Sequence, residues 1–225
     1  TPDISQLLDE VRQVKDPNLS DLVKEVSVNK PIIYGSDDHQ NVVLIDCGAK
    51  NSILRNLLSR KLKVIRVPYD FSPKEILEYK PKGIIISNGP GDPKNCLKTI
   101  DCIRVLIDTN IPILGICLGN HILALALGGD TYKMKYGHRS QNQPVINLDT
   151  GRCYITTQNH GYAVNPESLK GTNLIPYFIN ANDKTIEGIK LRNTPIFAVQ
   201  WHPEGTPGPY DTEFIFDEFV KHVGE

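Results

Sequence analysis

Between residues 42 and 129 the hydrophobic positions switch regularly between two rhythms. Short, nearly unbroken apolar runs, "NVVLID", "KVIRVP", "GIIIS" and "IPILGIC", predict buried strands. Between them the apolar residues recur at helical spacing. "KNSILRNLLSRK" puts Ile53, Leu54, Leu57 and Leu58 on one face, and "SPKEILEYK" offers Ser72 as N-cap with Pro73 at the first helical position. "CLKTIDCIRVLIDTN" and "LGNHILALALGG" predict two more helices, the second closed by Gly128 and Gly129. Strands alternating with helices imply an α/β fold, with an open, mostly parallel sheet and helices on both faces.

After residue 130 that rhythm stops. "CYITTQ", "NLIPYFI", "TIEGIKL" and "IFAVQWH" predict strands without long helices between them, so a mixed or antiparallel extension of the sheet is expected. Asn159-His160-Gly161 reads as a turn after "CYITT". Asp211 and Thr212 start a closing amphipathic helix, "TEFIFDEFVKHV". Residues 1–41 stand apart. "ISQLLDEVRQV" is a short amphipathic helix carrying Leu7, Leu8, Val11 and Val14. A turn at Asp16-Pro17 and a second short helix or irregular segment follow. That stretch is too short and polar for a domain. It is expected to be an extension or the tail of a preceding domain plus a linker, with the main domain over 42–225.

Composition narrows the picture only slightly. Of 225 residues, 40% are apolar and 23% charged, which is ordinary for a globular chain. A net charge of −1 supplies no basic field for nucleic acid. No apolar run approaches the ~18 residues of a membrane helix. The five cysteines are an odd number at irregular spacing without a C-x-x-C pair. Neither a disulfide framework nor a metal site is expected, and reduced thiols fit a cytoplasmic location.

Candidate chemistry gathers at three places. Cys117 stands in "GICLG", where a strand runs into a helix. Buried cysteine as small filler is one reading. The other is a nucleophile on a tight turn, with flanking glycines relieving clashes and the helix N-terminus favouring the reactive thiolate. There the N–H of Leu118 is placed to donate to a developing oxyanion. Asn88-Gly89-Pro90-Gly91-Asp92-Pro93 follows "GIIIS", either as an ordinary turn or as a ligand loop at the carboxyl edge of the sheet. In "FAVQWHPEG", His202 and Glu204 lie two apart in an extended segment and so share a face. They are either surface polar residues or a base and its orienting carboxylate. All three functional readings describe one reaction geometry.

"GICLG", "NGPGDP" and "HPE" together resemble the signatures of the class I, or triad, glutamine amidotransferases. More narrowly, "DCGAKNSILRNL", "SNGPGDP", "TYKMKYGHRSQNQPV" and "TQNHGYAV" resemble the branch that serves carbamoyl-phosphate synthetase, across roughly residues 42–223. The likeness is greatest to the fused form in eukaryotic multifunctional pyrimidine-biosynthesis proteins. Residues 16–28 resemble the end of that branch's N-terminal domain, most of which is not in this chain.

The resemblance implies a flavodoxin-like three-layer fold. Cys117 would be the nucleophile, His202 the base and Glu204 its orienter. Gly89 and Leu118 would supply the oxyanion N–H groups, and Gly91, Leu118, His121, Asn159, Gly161 and Tyr162 would hold L-glutamine. The resemblance implies no metal and no cofactor for the glutaminase step. ATP and Mg would be used by a partner carbamoyl-phosphate synthetase domain or subunit, with no nucleic acid or membrane involved. Where the family usually reads His-Gln after Cys-x-Gly, this chain has Asn120 and His121. A modified substrate site is the expectation. Two alternatives remain: an amidotransferase-fold module that only binds and regulates the synthetase, and a stand-alone hydrolase of γ-glutamyl compounds.

Overall fold

The structure, a computed structural model, describes residues 3–14, 16 and 20–224. Its centre is five parallel strands in the spatial order β3 (Leu62–Pro68), β2 (Gln40–Asp46), β4 (Gly83–Ile86), β5 (Ile113–Ile116) and β10 (Ile196–Val199). β1 (Ile32–Tyr34) adds an antiparallel edge beside β3. On the far side come β9 (Ile186–Leu191), β7 (Cys153–Val164), β6 (Thr131–Asn147) and β8 (Leu174–Asn180), all antiparallel. β8 pairs with β6 and also with β9, so this end of the sheet curls back on itself.

Alternation along β2 shows how the sheet is covered. Val43 and Ile45 face a layer built by α5 (Leu97–Leu106) and α6 (Leu118–Ala126). Val42 and Leu44 face α3 (Asn51–Ser59) and α7 (Phe214–Gly224) on the other side. All four side chains are closed to solvent, as a strand sandwiched between helices requires. The expected helices form, including α4 (Pro73–Glu78), whose Ser72 and Glu75 make a reciprocal capping box. α1 (Ile4–Gln13) has no buried residue, and α2 (Leu22–Val26) buries Val23. Among the described residues, no helix is long and apolar enough to cross a membrane.

One strand goes beyond the expectations and two expectations are corrected. "TYKMKYGHRSQNQPVIN" is one 17-residue strand, β6, which carries no clean alternation because register shifts fall at Lys133/His138 and Ser140/Gln143. Asn159-His160-Gly161 is not a turn but lies inside β7, with Arg139 opposite Asn159 and His138 opposite His160. Ladder pairing with β6 overrides the local turn preference of Asn and Gly. The last helix begins at Phe214, two residues late. Thr212 is engaged instead by Trp201, whose Nε1–H donates to its hydroxyl at 2.9 Å.

Candidate active site

The chain leaves β5 at Ile116 and enters α6 at Leu118, so Cys117 alone makes the turn. It does so at φ 53° and ψ −99°, a conformation that side chains with a Cβ rarely adopt. Its N–H is held at 2.9 Å by the Val199 carbonyl of β10. The flanking glycines let α6 press close against the sheet. A Cβ on Gly115 would stand 2.6 Å from the Gly119 carbonyl oxygen, and one on Gly119 would run into the Ile86 carbonyl. The first N–H groups of α6 have no partner within the helix, and the positive end of its dipole lies at Cys117.

The thiol is 5% exposed. Its sulfur lies 3.9 Å from Nε2 of Gln200 and 4.0 Å from the Asn159 carbonyl. It lines one cavity with the His202 ring, whose charged form it favours. His202 is pinned by its backbone N–H, which donates to the Thr157 carbonyl of β7 at 2.9 Å. Its Nδ1 is 2.7 Å from Oε1 of the buried Glu204. The extended geometry expected here gives way to a turn at Pro203-Glu204, which brings the two side chains together all the same. Burial pulls His202 down, but Cys117 and then Glu204 outweigh it and lift the ring to about 10. Burial also opposes charge on Glu204, yet the hydrogen bond and charge of His202, with Lys50 beyond, hold its carboxyl below the usual range.

A cavity of about 450 Å³ opens on Cys117. Every residue expected to touch substrate lies on its wall: Gly89, Gly91, Leu118, His121, Asn159, Gly161 and Tyr162. Gly89 passes so near the Cys47 carbonyl that no Cβ fits there, and Gly91 sits at φ +87°. His202 lines a second cavity, of about 520 Å³, together with Lys50, Asn159 and Cys117 itself. The sulfur thus stands between the two spaces.

The two departures separate in space. His121 faces the first cavity, with Nε2 3.2 Å from the Tyr162 carbonyl, and burial drops its pKa to about 3, so the ring is neutral. Asn120 points into the interior, where its Nδ2 donates to Oε1 of Gln200 at 2.9 Å. Four contributors escape the sequence reading. Lys50 reaches Glu204 at 3.2 Å, Gln200 reaches the sulfur, and Lys133 and Arg139 line the cavity from the unforeseen strand β6. Of these, Lys133 and Arg139 lie in "TYKMKYGHRSQNQPV", a stretch to which the sequence pattern assigns no element.

A strained cysteine elbow at the carboxyl edge of a parallel sheet, facing a carboxylate-oriented histidine, defines an α/β fold of the cysteine-nucleophile type. Residues 43–222 match the family described as glutamine amidotransferase class-I, and the chain belongs to that family. It is 50% identical over 224 residues to the carbamoyl phosphate synthase small chain of Methanopyrus kandleri, covering 100% of this chain and 62% of that one. The small chain of Methanocaldococcus jannaschii is 52% identical, with 97% and 62% covered. That of Listeria monocytogenes is 47% identical, with 98% and 60% covered. The chain therefore spans about three-fifths of the length of these relatives. Among solved structures, it resembles a candidate GMP synthase component of Thermoplasma acidophilum. There the TM-score is 0.71 at 22% identity, with 84% of this chain and 96% of that one covered. That likeness speaks for the fold alone.

Proposed function

We propose that this chain hydrolyses L-glutamine to glutamate and ammonia, and that the ammonia is passed to a carbamoyl-phosphate synthetase domain or subunit. The observation that carries the reading is Cys117 on a strained elbow at a helix N-terminus, lining one cavity with a His202 ring that Glu204 orients at 2.7 Å. The sulfur attacks the side-chain amide carbon of glutamine and a C–S bond forms. Charge on the tetrahedral oxygen is met by the N–H groups of Leu118 and Gly89, each donor of this kind being worth about 10²–10³ in rate. The C–N bond then breaks, and the nitrogen leaves as ammonia with the proton from His202. Water, deprotonated by the same ring, cleaves the thioester and returns the sulfur. Each step draws only on side chains, backbone and water; ATP and Mg belong to the partner.

Gly91, His121, Asn159, Gly161 and Tyr162 hold the amino-acid head group, and the cations Lys133 and Arg139 on the same wall suit its carboxylate. The small-chain names of the relatives support the synthetase as recipient; pyrimidine biosynthesis as the destination and the cytoplasm as the location belong to the same proposal. In His202→Ala protein, glutamine should add a γ-glutamyl group to Cys117, detectable as a mass shift that Cys117→Ser abolishes. In the assembled synthetase, Cys117→Ser should end glutamine-dependent synthesis and spare ammonia-dependent synthesis. Loss of neither points to a binding module.

A further inference from the structure

Behind the pocket wall lies a polar cluster that the chemistry above leaves unused. Glu187 of β9 is fully buried. Its Oε1 accepts from Nδ2 of Asn180 at 3.0 Å and lies 3.0 Å from Nδ1 of His138. Its Oε2 has no hydrogen-bond partner and stands 3.9 Å from Nε2 of His160. His138 reaches Oδ2 of Asp183 through Nε2 at 2.9 Å, and its Nδ1 is also 3.0 Å from Oε1 of Gln158. For His160, Nε2 is 2.9 Å from that same Gln158 oxygen and Nδ1 is 2.7 Å from the Tyr162 carbonyl.

Counting hydrogens decides the charge state. The Thr156 hydroxyl donates to the Gln143 carbonyl at 2.8 Å and accepts from Nε2 of Gln158 at 3.0 Å, which fixes the amide with its oxygen toward both rings. Turning the amide over would break that contact and set an N–H against Nδ1 of His138. Both nitrogens of His138 therefore face oxygens, and each ring donates a hydrogen to an oxygen that can only accept, Gln158 Oε1 or the Tyr162 carbonyl. An imidazolium at His138, favoured chiefly by Glu187, then stands between Glu187 and Asp183. Burial, with His138 and His202 behind it, outweighs Glu187 and the Tyr162 carbonyl and holds the pKa of His160 below its ordinary value. A metal ion does not compete. His138, His160 and Glu187 offer ligand atoms within 4.8 Å, but the Gln158 oxygen fills the gap between the rings.

We propose that Glu187 is a positioning residue for the glutamine pocket: its buried carboxylate holds His138 between itself and Asp183, His138 and the Gln158 oxygen seat the His160 ring, and His160 fixes the Tyr162 carbonyl. The proposal rests on the glutamine reading of that pocket. The Tyr162 carbonyl accepts from His121 as well, and its hydroxyl donates to Asp92 at 3.2 Å, so the residue is clamped at both ends. The charged or titratable groups facing the cluster are His138 from β6, His160 from β7 and Asp183 before β9, with His202 acting on His160. The Cys117, His202 and Glu204 contacts do not run through Glu187, so its loss is read in binding and not in the chemical step.

The test is Glu187→Gln in the full-length protein, with glutaminase kinetics from pH 6 to 9. We expect KM to rise about tenfold with kcat within about threefold, and the variant's KM to climb with pH from below pH 8, where the wild type stays level. Glu187→Asp, which keeps the charge, should recover part of the loss. An unchanged KM, or kcat falling as far as kcat/KM, overturns the proposal. Because Glu187→Gln could fail to fold, a second readout uses the wild-type chain labelled with 15N-histidine. At neutral pH both nitrogens of His138 should carry hydrogen, and a single protonated nitrogen overturns the proposal. If wild-type protein forms no thioester with glutamine, the functional reading falls, while these spectra still decide the charge state.

Discussion

Oε1 of Glu204 lies 2.7 Å from Nδ1 of His202, with both side chains almost closed to solvent. The same oxygen is 3.2 Å from Nζ of Lys50, and the other carboxylate oxygen has no partner. Glu204 therefore orients the ring with a full charge in a dry setting. Glu204→Gln should keep the shape and lower kcat by about 10²–10⁴-fold, because an amide can no longer stabilise the imidazolium. Lys50→Met should cost less than that and change kcat more than KM. Steady-state glutaminase kinetics check both, and a Lys50→Met loss equal to that of Glu204→Gln would show the ion pair to matter as much as the carboxylate.

Proton transfer from His202 sets a limit on the alkaline side. Its raised pKa of about 10 means the ring holds its proton through neutral and mildly alkaline pH and gives it up as pH rises through that value. The rate of thioester formation should stay level to about pH 9 and then decline. In Glu204→Gln the decline should begin at lower pH, since one raising partner has lost its charge. Rapid-quench measurement of acylation across pH reads this directly.

His121 and His138 pull stability in opposite directions. His121 is depressed to about 3, so the unfolded chain binds its proton first, and stability is lost as pH falls from about 6.5 toward 3. His138 is raised to about 9, chiefly by Glu187 against burial. Its contribution is full below about 6.5 and is lost as pH rises through about 9. Thermal melts should peak between these limits. His121→Gln should move the acid edge to lower pH and leave the alkaline edge in place.

The elbow glycines make a steric prediction. A Cβ at Gly119 would meet the Ile86 carbonyl, which is backbone and cannot swing aside. Gly119→Ala should cost about 1–3 kcal/mol, or roughly 2–12 °C in melting temperature for a chain of this length. Gly151→Ala meets nothing within 4 Å. Its only strain is its own φ of +69°, so it should cost about 1 kcal/mol without touching kcat.

The early strands and helices were legible because each short apolar run is buried on both faces and each helix carries one apolar stripe, as Val43, Ile45, Leu57 and Ile103 illustrate. β6 was not, because its two register shifts break the period and its partners lie across the sheet in β7 and β8. With it went Lys133 and Arg139, two cations of the pocket wall. The turn reading of Asn159-His160-Gly161 failed for the same reason. Cys117, His202 and Glu204 were legible because their local constraints are written in neighbours: glycines on either side of the cysteine, and a proline between the histidine and the glutamate.

The linear order of residues thus carries local information: which runs become strand or helix, where the chain must turn sharply, and which residue types stand at those turns. Folding was needed to bring Lys50 to Glu204, to set Gln200 between Asn120 and the sulfur, and to seat Glu187 among His138 and His160. Those contacts join residues tens of positions apart. They depend on strand register and on the low-dielectric interior that forms only when the sheet closes, and a linear pattern of polar and apolar residues encodes neither.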